Sequence, residues 1–153
     1  MMQELILPII YAFFSSLAYA YLFNIHGFNT VVSALCGAFG WMAYLVSGYY
    51  FHSSVIQSLF AGLALAAFAE AASRVRKFPV TGFLLPAFFP VVPGGGIYYT
   101  MKYCIDGNKE MFYNKFLETL GIAGALAVGV LLVSSTMRMV SAIKNERKCG
   151  ASK

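Results

Sequence analysis

Residues 86–99 read PAFFPVVPGGGIYY. Pro90 and Pro93 each remove a backbone donor and crowd the preceding helical turn. Gly94, Gly95 and Gly96 follow directly; they let the chain leave helical geometry and let another group approach the backbone. The stretch lies inside an apolar segment, 80–103, whose first charged residue is Lys102. The pattern therefore predicts a helix broken at membrane depth. Lipid cannot satisfy the polar groups that a break frees, so it must face protein or a polar cavity. Transporters place such breaks near the midplane, where freed amides hold a carboxylate and freed carbonyls hold a cation or an ammonium group. A proline kink packed with glycines is the plainer reading; the PxxPGGG spacing favours the functional one.

Composition agrees with a membrane setting. Of 153 residues, 59% are hydrophobic and 11% charged, with a mean hydropathy of +0.71. A soluble domain carries about a quarter charged residues. These figures exclude an ordinary cytosolic enzyme, a nucleic-acid binder and a disordered tail. Four further apolar runs, 5–23, 30–50, 54–74 and 116–140, are each about long enough to span. The expected fold is an all-α integral membrane protein: a five-transmembrane-helix bundle with a broken fourth helix. It forms one transmembrane domain over 1–153, with a basic tail at 141–153. The first run lacks the basic n-region of a signal peptide and is read as a retained helix. Ser54 and Gln57 have capping-box spacing and predict the start of the third helix. Asp106-Gly107-Asn108 predicts a turn.

The net charge of +5 is an orientation signal rather than a binding surface. Arg74, Arg76 and Lys77 close the third segment, and Arg138, Lys144, Arg147, Lys148 and Lys153 lie at the C-terminal end. Five helices put both groups, eight of eleven basic residues, on one side. The positive-inside rule makes that side the cytoplasm and puts the N-terminus outside, in an inner (plasma) membrane.

Glu70 is the one acidic residue clearly inside an apolar run. Intramembrane ionisable groups are functional candidates, here for a proton or a substrate amino group. Arg74 lies four residues on, so a structural ion pair competes with that reading. Small residues recur every four positions at Ser58, Gly62 and Ala66 and at Gly121, Ala125 and Gly129, which predicts close helix packing. Cys36, Cys104 and Cys149 are too far apart for a redox or metal motif, and His26 and His52 are isolated. No nucleotide-binding, metalloprotease or hydrolase motif occurs, so no enzyme activity, cofactor or metal is expected.

The run Glu70-x-x-Ser73-Arg74-x-x-Lys77-x-Pro79, then Pro86, then Pro90-Val91-Val92-Pro93-Gly94-Gly95-x-x-Tyr98, resembles the threonine/serine exporter family, most closely its small, separately encoded membrane subunit. The likeness extends from Phe23-Asn24 to Gly124–Gly129 and so covers nearly the whole chain. Ser73 stands where the family usually has Ala, and Gly96 extends the usual glycine pair. The resemblance implies export of small amino acids driven by the proton gradient. It also implies a larger partner subunit with a cytoplasmic domain and about five helices, unless the chain forms a homo-oligomer. Two five-helix halves would have inverted topology, the usual basis of alternating access.

The expected substrate site is Pro90, Pro93, Gly94, Gly95, Gly96 and Tyr98, and the expected coupling site is Glu70 with Arg74. Rival readings are an exporter of small carboxylic acids such as dicarboxylates, and a non-transporting structural or assembly subunit.

Overall fold

Hydrophobic runs become helices wherever no proline or glycine signal interrupts them, and the interruptions set the architecture. The computed structural model describes the backbone of residues 2–150, and side chains for 6–141 and 143. Lys144, Arg147 and Lys148 of the expected basic tail, Cys149, and Gln3 and Glu4 lie outside the described side chains; Lys153 lies outside the described chain. Six helices follow in order: α1 Met2–Leu22, α2 Phe28–Tyr50, α3 Ser54–Arg76, α4 Val80–Phe88, α5 Gly94–Ile105 and α6 Lys109–Gly150. No strand occurs among the described residues.

The fold is all-α, but the five-helix count is corrected. The expected fourth helix is two helices, α4 of 9 and α5 of 12 residues. At 1.5 Å per residue each is too short to cross about 30 Å of hydrocarbon. Three helices, α2, α3 and the Lys109–Ser141 part of α6, are long and apolar enough to cross a membrane; the apolar stretch Ile6–Leu22 of α1 is shorter.

The turns have local causes. Asn24 takes the left-handed conformation, φ 58°, and Ile25 N–H closes back onto the Ala20 carbonyl over 3.0 Å, ending α1. Lys77, φ 51°, ends α3 in the same way, with Phe78 N–H on the Ser73 carbonyl. The Ser73 hydroxyl donates to the Phe78 carbonyl and fastens this turn, which gives the serine a role that alanine lacks. Arg76 Nε donates to Asn29 Oδ1 over 3.1 Å and its guanidinium lies 5.0 Å from the Phe28 ring centre. The α1–α2 and α3–α4 turns therefore meet at one end of the bundle. Helix α3 starts at Ser54, but no capping box forms: the Gln57 amide donates to the Phe51 carbonyl over 2.7 Å. Asn108 caps α6 by accepting from Met111 N–H, so that helix begins earlier than its apolar run.

The core centres on α3, α4 and their neighbours, with Cys36, Leu65, Ala69, Phe83, Ala87 and Leu126 buried. The two small-residue faces meet each other. A Cβ on Gly62 would lie 2.8 Å from the Leu126 carbonyl oxygen, and one on Gly129 would lie 2.8 Å from that of Leu59. Backbone thus touches backbone where α3 crosses α6, as small residues allow in lipid.

Candidate functional site

Three prolines act on the segment 80–105, and they are treated differently. Pro86 sits inside α4 and cannot donate to the carbonyl four residues back, that of Gly82. The Ser33 hydroxyl of α2 donates to that carbonyl instead, over 3.1 Å. Pro90 and Pro93 free the Pro86 and Phe89 carbonyls by the same chemistry. Neither carbonyl gains a hydrogen bond among the described residues, because the amides of Val91 and Val92 both turn to Phe88.

Helix α5 begins immediately after Pro93. The Gly94 amide closes onto the Val92 carbonyl (2.7 Å) and the Ile97 amide onto that of Pro93 (3.1 Å). The Gly95 and Gly96 amides find no backbone acceptor, as expected in the first turn of a helix. Within residues 86–96 the chain therefore presents unpaired acceptors and unpaired donors together. A Cβ on Gly94 or Gly95 would meet nothing within 4 Å, and neither residue has positive φ. Packing does not require these two glycines, since a side chain at either would enter open space. Gly96 differs, because a Cβ there would strike the Thr119 side chain of α6.

The break separates two surroundings. Helix α4 packs on α1, α2 and α3, whereas α5 packs on α6 alone. Pro93 lines a cavity of about 350 Å³ between α5 and α6, with Ile97, Thr100, Phe116 and Thr119. Its two threonine hydroxyls bond back to their own helix, so its walls are effectively apolar. Pro90 lines a second cavity, of about 240 Å³, with Ala12 and Ser15 of α1 and Trp41 of α2. Tyr98 lies on the outer face of α5, 65% exposed, its ring against Tyr99 and lining neither cavity.

Glu70 and Arg74 pair on one face of α3, at 4.0 Å. The guanidinium directs its hydrogen bonds to α6, donating to the Met137 carbonyl (3.1 Å) and to Ser141 Oγ (2.9 Å). The Glu70 side chain is 12% exposed, and its carboxylate accepts no hydrogen bond among the described residues. Helices α3 and α5 do not touch, so Glu70 and the Gly94–Gly96 turn do not form one cluster. No group of three His, Cys, Asp or Glu side chains able to hold a metal occurs among the described residues.

A family model, described as Threonine/Serine exporter, ThrE, matches residues 8–136. The chain belongs to the threonine/serine exporter family. At family level it is therefore an amino-acid exporter, and the family and its apolar helices together place it in a membrane. No curated protein and no solved structure matches the chain. The family match runs from the first turns of α1, through Glu70 and the whole Pro86–Tyr98 segment, to the middle of α6.

Of two side chains beside the break, sequence reasoning passed over Ser16 and placed Trp41 mid-helix without giving it a role. Each has a buried polar atom with no partner. The available signal was a tryptophan far from either end of its helix, since a buried indole N–H ordinarily finds an acceptor.

Proposed function

We propose that the chain is the small membrane subunit of a proton-coupled exporter of threonine and serine, with the broken segment as its substrate site. The observation that carries this reading is the pairing of unmet groups at the break. The Pro86 and Phe89 carbonyls suit an ammonium group, and the Gly95 and Gly96 amides suit a carboxylate. An amino acid carries both. Glu70 is the coupling carboxylate in this reading. It is nearly buried and free of hydrogen bonds, and its partner Arg74 is held by α6. Protonation of Glu70 would loosen the contact with Arg74 and so alter how α3 sits on α6.

The N-terminus is outside and the C-terminus cytoplasmic. Support comes from the meeting of the α1–α2 and α3–α4 turns at one end, where Arg74, Arg76 and Lys77 gather. The second half of the transporter is a larger subunit with its own helices and a cytoplasmic domain.

The test is efflux of labelled threonine from cells carrying the gene in its chromosomal setting, where any partner is present. Efflux should collapse with a protonophore and fall at least about ten-fold in Gly95→Leu. In Glu70→Ala, efflux should lose its dependence on the proton gradient. Unaltered proton-driven efflux in both variants would remove these residues from the mechanism.

A further inference from the structure

Among the described residues, two buried side-chain polar atoms have no hydrogen-bond partner, Ser16 Oγ and Trp41 Nε1. Both lie at the crossing of α1, α2 and α4, beside the break. Ser16 is fully buried, its hydroxyl seated where a Cβ on Gly37 would stand, with the Ala87 Cα 3.4 Å from that point. Other helical hydroxyls here return their proton to the carbonyl four residues back, as Ser58, Thr100, Thr119 and Ser141 do. Ser16 does not. Trp41 is one turn beyond Gly37 on α2, as Pro90 is about one turn beyond Ala87, and Trp41 and Pro90 share the cavity of about 240 Å³. Ser15, whose hydroxyl makes no hydrogen bond among the described residues, lines the same cavity. Of the two orphaned residues only Trp41 lines this cavity, and an unpaired donor is costly in a membrane interior.

We propose that Trp41 and Ser15 read the side-chain hydroxyl of the transported amino acid, an assignment that rests on the exporter reading above. The chemistry matches in sign and number. An indole N–H only donates, and a serine hydroxyl both donates and accepts. A substrate hydroxyl accepts from Trp41 Nε1 and donates to Ser15 Oγ. Both protein groups are neutral and suit a neutral group, whereas the charged ends of the substrate have the amides and carbonyls of the break. Pro90 joins the two: it frees the Pro86 carbonyl and forms a wall of the cavity. The apolar cavity between α5 and α6 has no such unmet donor. A site with a buried donor rejects an analogue lacking the hydroxyl, because that donor is then left unpaired.

The experiment compares efflux of threonine with efflux of 2-aminobutyrate, which has the same carbon skeleton without the hydroxyl. The variants are Trp41→Phe, which keeps a ring and removes the N–H, and Ser15→Ala. Cells again carry the gene in its chromosomal setting. The wild type should prefer threonine, and each variant should shrink that preference by about ten-fold, with efflux of 2-aminobutyrate retained. The ratio does not depend on how much protein reaches the membrane, and Ser15→Ala reads it even where Trp41→Phe accumulates poorly. An unchanged ratio with efflux intact, or an equal fall for both substrates, overturns this assignment alone. A wild type that exports neither amino acid overturns both this assignment and the exporter reading.

Discussion

The Ser33 hydroxyl of α2 donates to the Gly82 carbonyl of α4, the carbonyl that Pro86 leaves without an amide. Proline and serine thus form a compensated pair across two helices. Ser33→Ala should destabilise the fold by about 1 kcal/mol, because a half-buried carbonyl loses its donor. Pro86→Ala supplies an amide at 86 and should cancel part of that loss. A double-mutant cycle on thermal unfolding in detergent measures the coupling. Strictly additive losses would show that Ser33 does not serve the carbonyl that Pro86 frees.

The α3–α6 crossing depends on Gly62 and Gly129, each of whose Cβ positions lies 2.8 Å from a backbone carbonyl oxygen of the other helix. Backbone cannot yield as a flexible side-chain tip does. Gly129→Ala should cost about 1–3 kcal/mol and lower abundance in the membrane. Gly124→Ala, on the same helix with nothing within 4 Å, should be neutral. Equal behaviour of the two variants in a thermal-shift measurement would contradict the crossing geometry.

Gly95 and Gly96 are neighbours in sequence with opposite surroundings. Gly95→Ala should leave abundance and melting unchanged, since no atom lies within 4 Å of its Cβ position. Gly96→Ala drives a methyl group into Thr119 and should lower stability, and Thr119→Ala should restore it. Thermal unfolding of the two single variants and the Gly96→Ala/Thr119→Ala pair checks both statements. Transport adds a second readout: Gly95→Ala should impair threonine efflux despite normal folding, because its methyl group shields the free amides.

Cys104 is exposed near the end of α5, whereas Cys36 is buried in α2. In variants that retain one cysteine each, a membrane-impermeant maleimide applied to intact cells should label Cys104 and spare Cys36. Labelling of Cys104 only after the cells are opened would reverse the orientation proposed above.

Helix ends and turns were largely legible in the residues. Asn24, the basic cluster before Pro79 and Asp106-Gly107-Asn108 all mark real boundaries, because left-handed conformations and caps are local properties of short segments. The small-residue faces on α3 and α6 were legible for the same reason: a period of four is visible without knowledge of the partner. The break in the fourth segment was legible in PxxPGGG, but that its halves count as two separate helices was not. A hydropathy run records whether residues suit lipid, and residues 89–93 suit it as well as a helix would, although the backbone there does not continue. Nor could the sequence reveal that Pro90 and Pro93 open onto different cavities. That depends on α4 lying among three helices while α5 rests on one, a fact about helices distant in the chain. The orphaned atoms of Ser16 and Trp41 were hidden likewise, since an unmet hydrogen bond is a property of the surroundings rather than of the residue.

That difference in attachment has a mechanical meaning. Helix α4 is clamped on three sides, while α5 is a strut held by one neighbour and a five-residue tether. The α5–α6 contact lies over an apolar hollow of about 350 Å³, whereas α4 contributes Phe83 and Ala87 to the buried core. The link between a helix with three neighbours and a helix with one thus carries the unmet Phe89 carbonyl and the unmet Gly95 and Gly96 amides.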